Sequence, residues 1–404
     1  MTACFSTRIG YVVSHFPPAS DQRLLDELAE LERSGLNVRV FALERSPLDA
    51  QPGDPARRPR VTYMPARVDR DSSHAEAEWL ASQVVARGIT HLHAYSMDRA
   101  TDIARAVAAI AEIPYSFSVE TDDLTPQHLR ARELRTRARA AQFIITRSAA
   151  SLGILAEICG HGVVPKCHWM YEGIDLAQLP FFSEVRRTDA LLAVVGPPGD
   201  TGLDDALAAT AILHARGRKV YLTVVAPEEA HASVQRETSR RGLTDLVRIV
   251  EPPDQHALQG LMRLHTLLLA PWRTTATPAE VPDIFLKAMA LGLPIVASDV
   301  PGLREAIDDG WTGRLVRAGD PIWLAGAIET LLDQSRVRRR MARAARERLE
   351  QFCTTRNVAF LDRLFAQASV QRRLVPHVLM AHPVPPSGST IREQLSEVHD
   401  RGKA

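Results

Sequence analysis

The stretch that decides the fold runs from Ala279 to Pro321 and reads AEVPDIFLKAMALGLPIVASDVPGLREAIDDGWTGRLVRAGDP. A short helix is expected from about Asp283, whose carboxylate suits the positive end of a helix. Ile284, Phe285, Ala288 and Leu291 recur at three- and four-residue spacing, so they share one face. Gly292 can adopt the left-handed conformation that stops a helix. Pro294 to Ala297 is a continuous apolar run, as a strand buried on both faces requires. Val300-Pro301-Gly302 turns the chain into a brief helix at 303–307, and Asp308-Asp309-Gly310 turns it again. A strand at 312–316 follows, and Asp320 then caps a helix with Pro321 in its first turn. Helix and strand alternating at this spacing specify a parallel α/β layer.

Working outward, the same alternation covers most of the chain. Strands are expected at 9–14, 38–43, 89–93, 115–119, 143–146 and 167–170, and again at 191–195, 220–225, 247–250 and 266–270. Helices are expected between them, among them 21–33, 73–87, 97–111, 126–141, 149–159, 204–216, 230–241 and 255–264. Prolines 47, 52, 55 and 59 mark a loop. A basic helix at 336–352 and an apolar-faced one at 358–365 follow the deciding stretch, and the proline-containing tail reads as extended linker.

With 404 residues, the chain can bury two cores. A net charge of +1 gives no global field for nucleic acid or an anionic membrane. The four cysteines form no CxxC pair, as expected of reduced thiols in a cytoplasmic protein. No secretory signal is legible, and no apolar run reaches the ~18–20 residues of a membrane span. His91 and His93 are expected to be hydrogen-bonded residues at a strand end, because no third ligand lies at metal-binding spacing. The arginines at 130, 132, 135, 137 and 139 read as a solvated helix face.

The deciding stretch resembles the signature of glycosyltransferase family 4, which has the GT-B fold. Ala288-Met289-Ala290, Gly292-Leu293-Pro294, Pro301-Gly302, Glu305, Gly310, Thr312-Gly313 and Gly319-Asp320 stand where that family has them. Ser14-His15-Phe16-Pro17 and His91-Leu92-His93-Ala94 resemble a subgroup of surface-polysaccharide assembly. A nucleotide-sugar 2-epimerase shares the fold, but Ala288-Met289-Ala290 within the signature favours family 4.

The resemblance implies two Rossmann-like domains with parallel sheets facing each other across a cleft. Residues 1–180 form the acceptor-side domain and 190–345 the nucleotide-sugar side; 346–368 return to the first domain, and 369–404 form the tail. It also implies retaining transfer from a nucleotide-sugar donor to a glycan or lipid-linked acceptor, without metal or other cofactor. The location implied is the cytoplasm, peripheral to the inner face of the membrane.

The donor positions depart from the family. Its two signature glutamates are Ala279 and Lys287 here, and Glu280 takes the place of a glycine, while Pro282 keeps the proline. Pro197 stands for the arginine, and Thr201 for the lysine, that contact the donor diphosphate. Losing two such charged contacts costs about 3–6 kcal/mol. Lysine at 287 cannot accept hydrogen bonds from a ribose. Two readings follow. In one, an active enzyme has a remodelled donor site: Glu120, in place of the family histidine, is catalytic, and Gly199, Thr201, Gly202, Arg273, Glu280, Pro282 and Lys287 bind the donor. In the other, a catalytically inactive pseudo-glycosyltransferase acts as scaffold or activator for a partner glycosyltransferase.

Overall fold

The structure is a computed structural model, and it describes residues 7–16, 22–46, 59–66, 68, 73–120, 122–124, 130–170, 173–182, 189–194, 202–273, 283–350 and 353–371. The first half alternates β1 (Arg8–Phe16), α1 (Gln22–Arg33), β2 (Asn37–Arg45), β3 (Val61–Tyr63), α2 (Ser73–Ala86), β4 (His91–Ala94) and α3 (Arg99–Ile110). It continues with β5 (Tyr115–Val119), α4 (Ala131–Ala140), β6 (Ile144–Thr146), α5 (Ala149–Cys159) and β7 (Cys167–Trp169). These strands make one parallel sheet in the order β3-β2-β1-β4-β5-β6-β7.

The second half alternates β8 (Ala190–Val194), α6 (Leu203–Ala215), β9 (Tyr221–Val225), α7 (Glu228–Arg240), β10 (Val247–Val250), α8 (Gln255–Leu264) and β11 (Leu267–Ala270). Then come α9 (Asp283–Leu291), β12 (Ile295–Ser298), α10 (Pro301–Ala306), β13 (Arg314–Val316), α11 (Pro321–Asp333), α12 (Ser335–Leu349) and α13 (Thr354–Gln371). The second sheet is also parallel, in the order β10-β9-β8-β11-β12-β13.

Each sheet is buried on both faces because its strands alternate apolar side chains between two cores. In β11, Leu267 and Leu269 enter one core while Leu268 and Ala270 enter the other. In β1, Ile9, Tyr11 and Val13 face α1 and α13, and Val12 faces the opposite way. This is why the strands read as continuous apolar runs rather than as an apolar–polar alternation. Within the deciding stretch, Phe285, Ala288 and Leu291 are buried on α9, Gly292 has φ +78° just beyond it, and Ile295, Val296 and Ala297 are fully buried. Asp320 Oδ1 accepts from Trp323 N at 3.0 Å, the cap expected there.

Segment 173–182 packs with the second sheet. Ile174 and Leu179 join the core around α9. The Arg346 guanidinium donates to the carbonyls of Leu179 (2.7 Å), Ala290 (2.8 Å) and Leu176 (3.2 Å). Helix α13 then lies against α1 and the first sheet, with Val358, Leu361 and Phe365 in its core.

Three expectations change. The edge strand β3 has no counterpart in the sequence reading, because three residues are too few to show a period. The described part of α4 starts at Ala131 rather than at 126, with Arg130 at the cap position but not capping the helix through its side chain; the expected Thr125-Pro126 start lies outside the described residues. Arg137 is not on a solvated face. It is buried and forks onto Asp102 at 3.0 and 2.6 Å, with a third bond to the Met97 carbonyl at 3.0 Å. Arg132, Arg135 and Arg139 are exposed as expected.

Candidate functional site

In an open parallel sheet, ligands bind beyond the carboxyl ends of the strands, where the strand order reverses. In the second sheet that point lies between β8 and β11, since β8 is followed in sequence by β9 on its other side. Two connections meet there. Gly202 begins α6 with φ +61°, and a Cβ on it would collide with the carbonyl of Pro271, just past β11. Glycine is therefore required twice, by the left-handed backbone and by the approach of another main chain.

That approach sets Arg273 against the first turn of α6. Its Nε and Nη2 donate to Asp205 Oδ2 and Oδ1 at 2.9 and 2.7 Å. The Asp205 side chain is 4% exposed and that of Arg273 45% exposed, so the guanidinium lies at the mouth and its carboxylate below. A helix amino terminus attracts anions through its unpaired N–H groups and its dipole. Here the protein supplies one such anion itself, and Arg273 balances it. Gly319, with φ +73°, brings the β13–α11 connection to the same place, its Cβ position 4.0 Å from Arg273 Nε.

Lys287 lies one turn inside α9. Side chains on a helix lean toward its amino end, so the ammonium reaches back to an ion pair with Asp283. The Lys287 stem is buried, and Asp283 is half-exposed at the helix start. Sequence reasoning assigned Lys287 and Arg273 as cations but missed their carboxylates. The available signal was acid in the first turn of each helix, at Asp204, Asp205 and Asp283.

Glu120 belongs to the other sheet, at the carboxyl end of β5, where its main-chain N–H donates to Asp123 Oδ2 at 2.9 Å. Gly199, Thr201, Glu280 and Pro282 lie outside the described residues. Gly202 and Arg273 are thus brought to one place, Lys287 stands on the helix that follows, and Glu120 stands on the opposite half of the molecule.

The histidines of β4 are built into the core instead. His91 Nε2 and His93 Nδ1 each lie 2.8 Å from Ser116 Oγ, and His93 Nε2 lies 3.1 Å from Ser118 Oγ. The Phe365 ring of α13 covers both, at 5.1 and 5.9 Å between centroids. Burial lowers the His91 pKa from 6.5 to about 3 and pushes His93 well down. Among the described residues, no group of three or more His, Cys, Asp or Glu is placed to hold a metal ion, and no helix is long and apolar enough to cross a membrane.

Residues 189–334 match the family model described as "Glycosyl transferases group 1". A D-inositol 3-phosphate glycosyltransferase of Frankia alni is 32% identical over 162 residues, which are 40% of this chain and 32% of that protein. A glycogen synthase of Mycobacterium tuberculosis is 30% identical over 213 residues, 52% of this chain and 50% of that one. The matches thus span about a third to a half of the length of these curated relatives. Among solved structures, Anabaena HepE in complex with UDP superposes with TM-score 0.70 at 18% identity, covering 89% of this chain and 100% of that one. The sucrose-phosphate synthase of Thermosynechococcus elongatus gives 0.67 at 16% identity, covering 90% of this chain and 100% of that one. The fold is that of the GT-B glycosyltransferases, with two Rossmann-like domains.

Proposed function

We propose that this GT-B chain, whose second half is similar to group 1 glycosyltransferases, binds a nucleotide-sugar in the crevice between β8 and β11. It transfers the sugar, with retention, to a glycan or lipid-linked acceptor of polysaccharide or glycolipid assembly. The observation that carries the reading is the meeting of Gly202 and Pro271, which holds Arg273 over the amino end of α6. The donor diphosphate sits at that helix end, with Arg273 as its cation and Lys287 as a second positive charge. Gly199, Thr201, Glu280 and Pro282 complete the donor side, and Glu120 acts from the opposite sheet. The protein works in the cytoplasm, peripheral to the inner face of the membrane.

The chemistry of the pair supports this reading. An arginine already forked onto a carboxylate is pre-oriented, so little side-chain entropy is lost when an oxyanion approaches. Asp205 then acts as a positioning residue, holding the guanidinium at the crevice mouth.

One observation favours a second reading, an inactive scaffold or activator for a partner glycosyltransferase. Arg273 and Lys287, the two cations that would replace the family's diphosphate contacts, are both engaged by carboxylates of this chain. Incubation with UDP-, GDP-, ADP- and TDP-sugars separates the two. The enzyme reading expects release of one nucleoside diphosphate, lowered about 10-fold or more by Arg273→Ala. Folded protein that releases none supports the scaffold.

A further inference from the structure

The chain as a whole is almost neutral, yet one face of its second half is strongly basic. On α12, Arg336, Arg339, Arg340 and Arg343 are exposed, at the three- and four-residue spacing that places them in one stripe. Met341, Ala345 and Leu349 anchor the opposite side of the helix in the cores. Among the described residues, none of the four arginines is ion-paired, although other charges nearby are. Arg216 holds Glu329, Arg218 holds Asp333, Arg314 holds Asp309 and Arg348 holds Asp308. The stripe lines a surface hollow of about 540 Å³ in which Glu347 is the only carboxylate among the described residues.

Exposed apolar side chains border the stripe. Trp311 is 54% exposed, Ile322 65% and Trp323 62%. The Arg340 guanidinium stands 5.7 Å from the centre of the Trp311 ring. Arg340 also lines a second hollow of about 610 Å³ between α11 and α12, walled by Ile322, Trp323, Ala327 and Val337. The two hollows therefore share a wall, one arginine-lined and the other largely apolar. Exposing two tryptophans and an isoleucine beside arginines that no described carboxylate pairs is unfavourable in water. It suits an interface that is apolar on one side and anionic on the other, where aromatic rings settle at headgroup depth.

We propose that the face formed by α11, α12 and Trp311 docks on an anionic lipid bilayer. Trp311, Ile322 and Trp323 enter the headgroup region, and Arg336, Arg339, Arg340 and Arg343 meet lipid phosphates. The inference makes specific the peripheral placement proposed above and rests on it. Vesicle binding and nucleotide binding are separate measurements, so the failure of either is recognisable alone.

The test is co-sedimentation of the full chain with vesicles of phosphatidylcholine, or of equimolar phosphatidylcholine and phosphatidylglycerol. The expected result is binding to the anionic vesicles only, weakening as salt rises, with a blue shift of tryptophan emission. Each basic residue near such a surface contributes about fivefold to partitioning, so Arg339→Gln with Arg343→Gln weakens binding about 30-fold. Trp323→Ser weakens it and reduces the blue shift. The substituted side chains are exposed, so an unchanged thermal midpoint establishes that the variants are folded. Absence of vesicle binding overturns the proposal, and so does binding that these substitutions leave unchanged. Self-association that buries Trp311 and Trp323 and is lost in the same variants also overturns it, by making this face a contact between protein copies.

Discussion

The two sheets handle polar side chains in opposite ways. Beneath α13, the first sheet seals His91, His93, Ser116 and Ser118 into a hydrogen-bonded row that Phe365 and Phe143 keep dry. The second half keeps ion pairs that each have one half-exposed partner: Arg273 with Asp205 beyond the end of β11, and Lys287 with Asp283 within the first turns of α9. A neutral polar group can be buried once its hydrogen bonds are met, whereas a charge needs a partner and, preferably, water. The first arrangement therefore holds a fold together, and the second remains able to exchange one partner for a ligand. Motif resemblance alone does not make that distinction, since both regions carry stretches that resemble family motifs.

The comparison breaks most readily at Phe365. Phe365→Ala removes the lid from both histidines and should cost about 3–5 kcal/mol in chemical denaturation, leaving nucleotide response per folded molecule unchanged. Acid is the next test. His91 is held at about 3 by burial against an ordinary 6.5. The unfolded chain therefore binds protons that the folded chain refuses. Stability is full above about pH 6.5 and declines as the pH falls toward 3, His91 alone contributing a loss of about 3 kcal/mol by pH 4. His93 and His168 shift in the same direction. A denaturation series from pH 7 to 4 reads the slope, and a flat profile would mean that the row is open to water.

On the other side of the comparison, Gly202→Ala strains a left-handed residue and pushes apart the α6 and β11 connections. About 1–3 kcal/mol is expected by denaturation, together with loss of any nucleotide-dependent stabilisation. Lys287→Met keeps the buried stem and removes an ion pair whose partner is half-exposed. A stability change within about 1 kcal/mol is expected, read from the urea midpoint. A larger loss would place Lys287 with the sealed row rather than with the exchangeable pairs.

Much of this architecture was legible in the chain. The run from Asp283 to Pro321 has its helices and strands within a few residues of their expected places, because buried parallel strands and glycine stops leave strong local signals. The β4 histidines were legible as structural from the absence of a third ligand. The serines that bond them also stood in plain alternation in Tyr115–Val119, yet only the sheet pairing shows which strand lies alongside. Arg137 was misread because helical spacing alone cannot reveal a carboxylate on α3 placed to receive it. That Asp205 pairs with Arg273 was invisible for a similar reason. Asp205 and Arg273 are far apart in sequence and meet only because Gly202 admits the carbonyl of Pro271. The basic helix at 336–352 was legible, but which of its arginines share an exposed face was not, and a whole-chain charge of +1 conceals such a local excess.

The central claim is that the crevice between β8 and β11 receives a nucleotide-sugar through Arg273. Thermal unfolding of the wild type and of Arg273→Ala with UDP-, GDP-, ADP- and TDP-sugars tests it most directly. At about 100 times its dissociation constant, a ligand stabilises the folded state by about 2.7 kcal/mol, which raises the midpoint by several degrees. The account predicts that rise with one nucleotide class in the wild type and its loss in Arg273→Ala. A well-folded wild type whose midpoint moves with none of them, or a rise that survives Arg273→Ala undiminished, would contradict it.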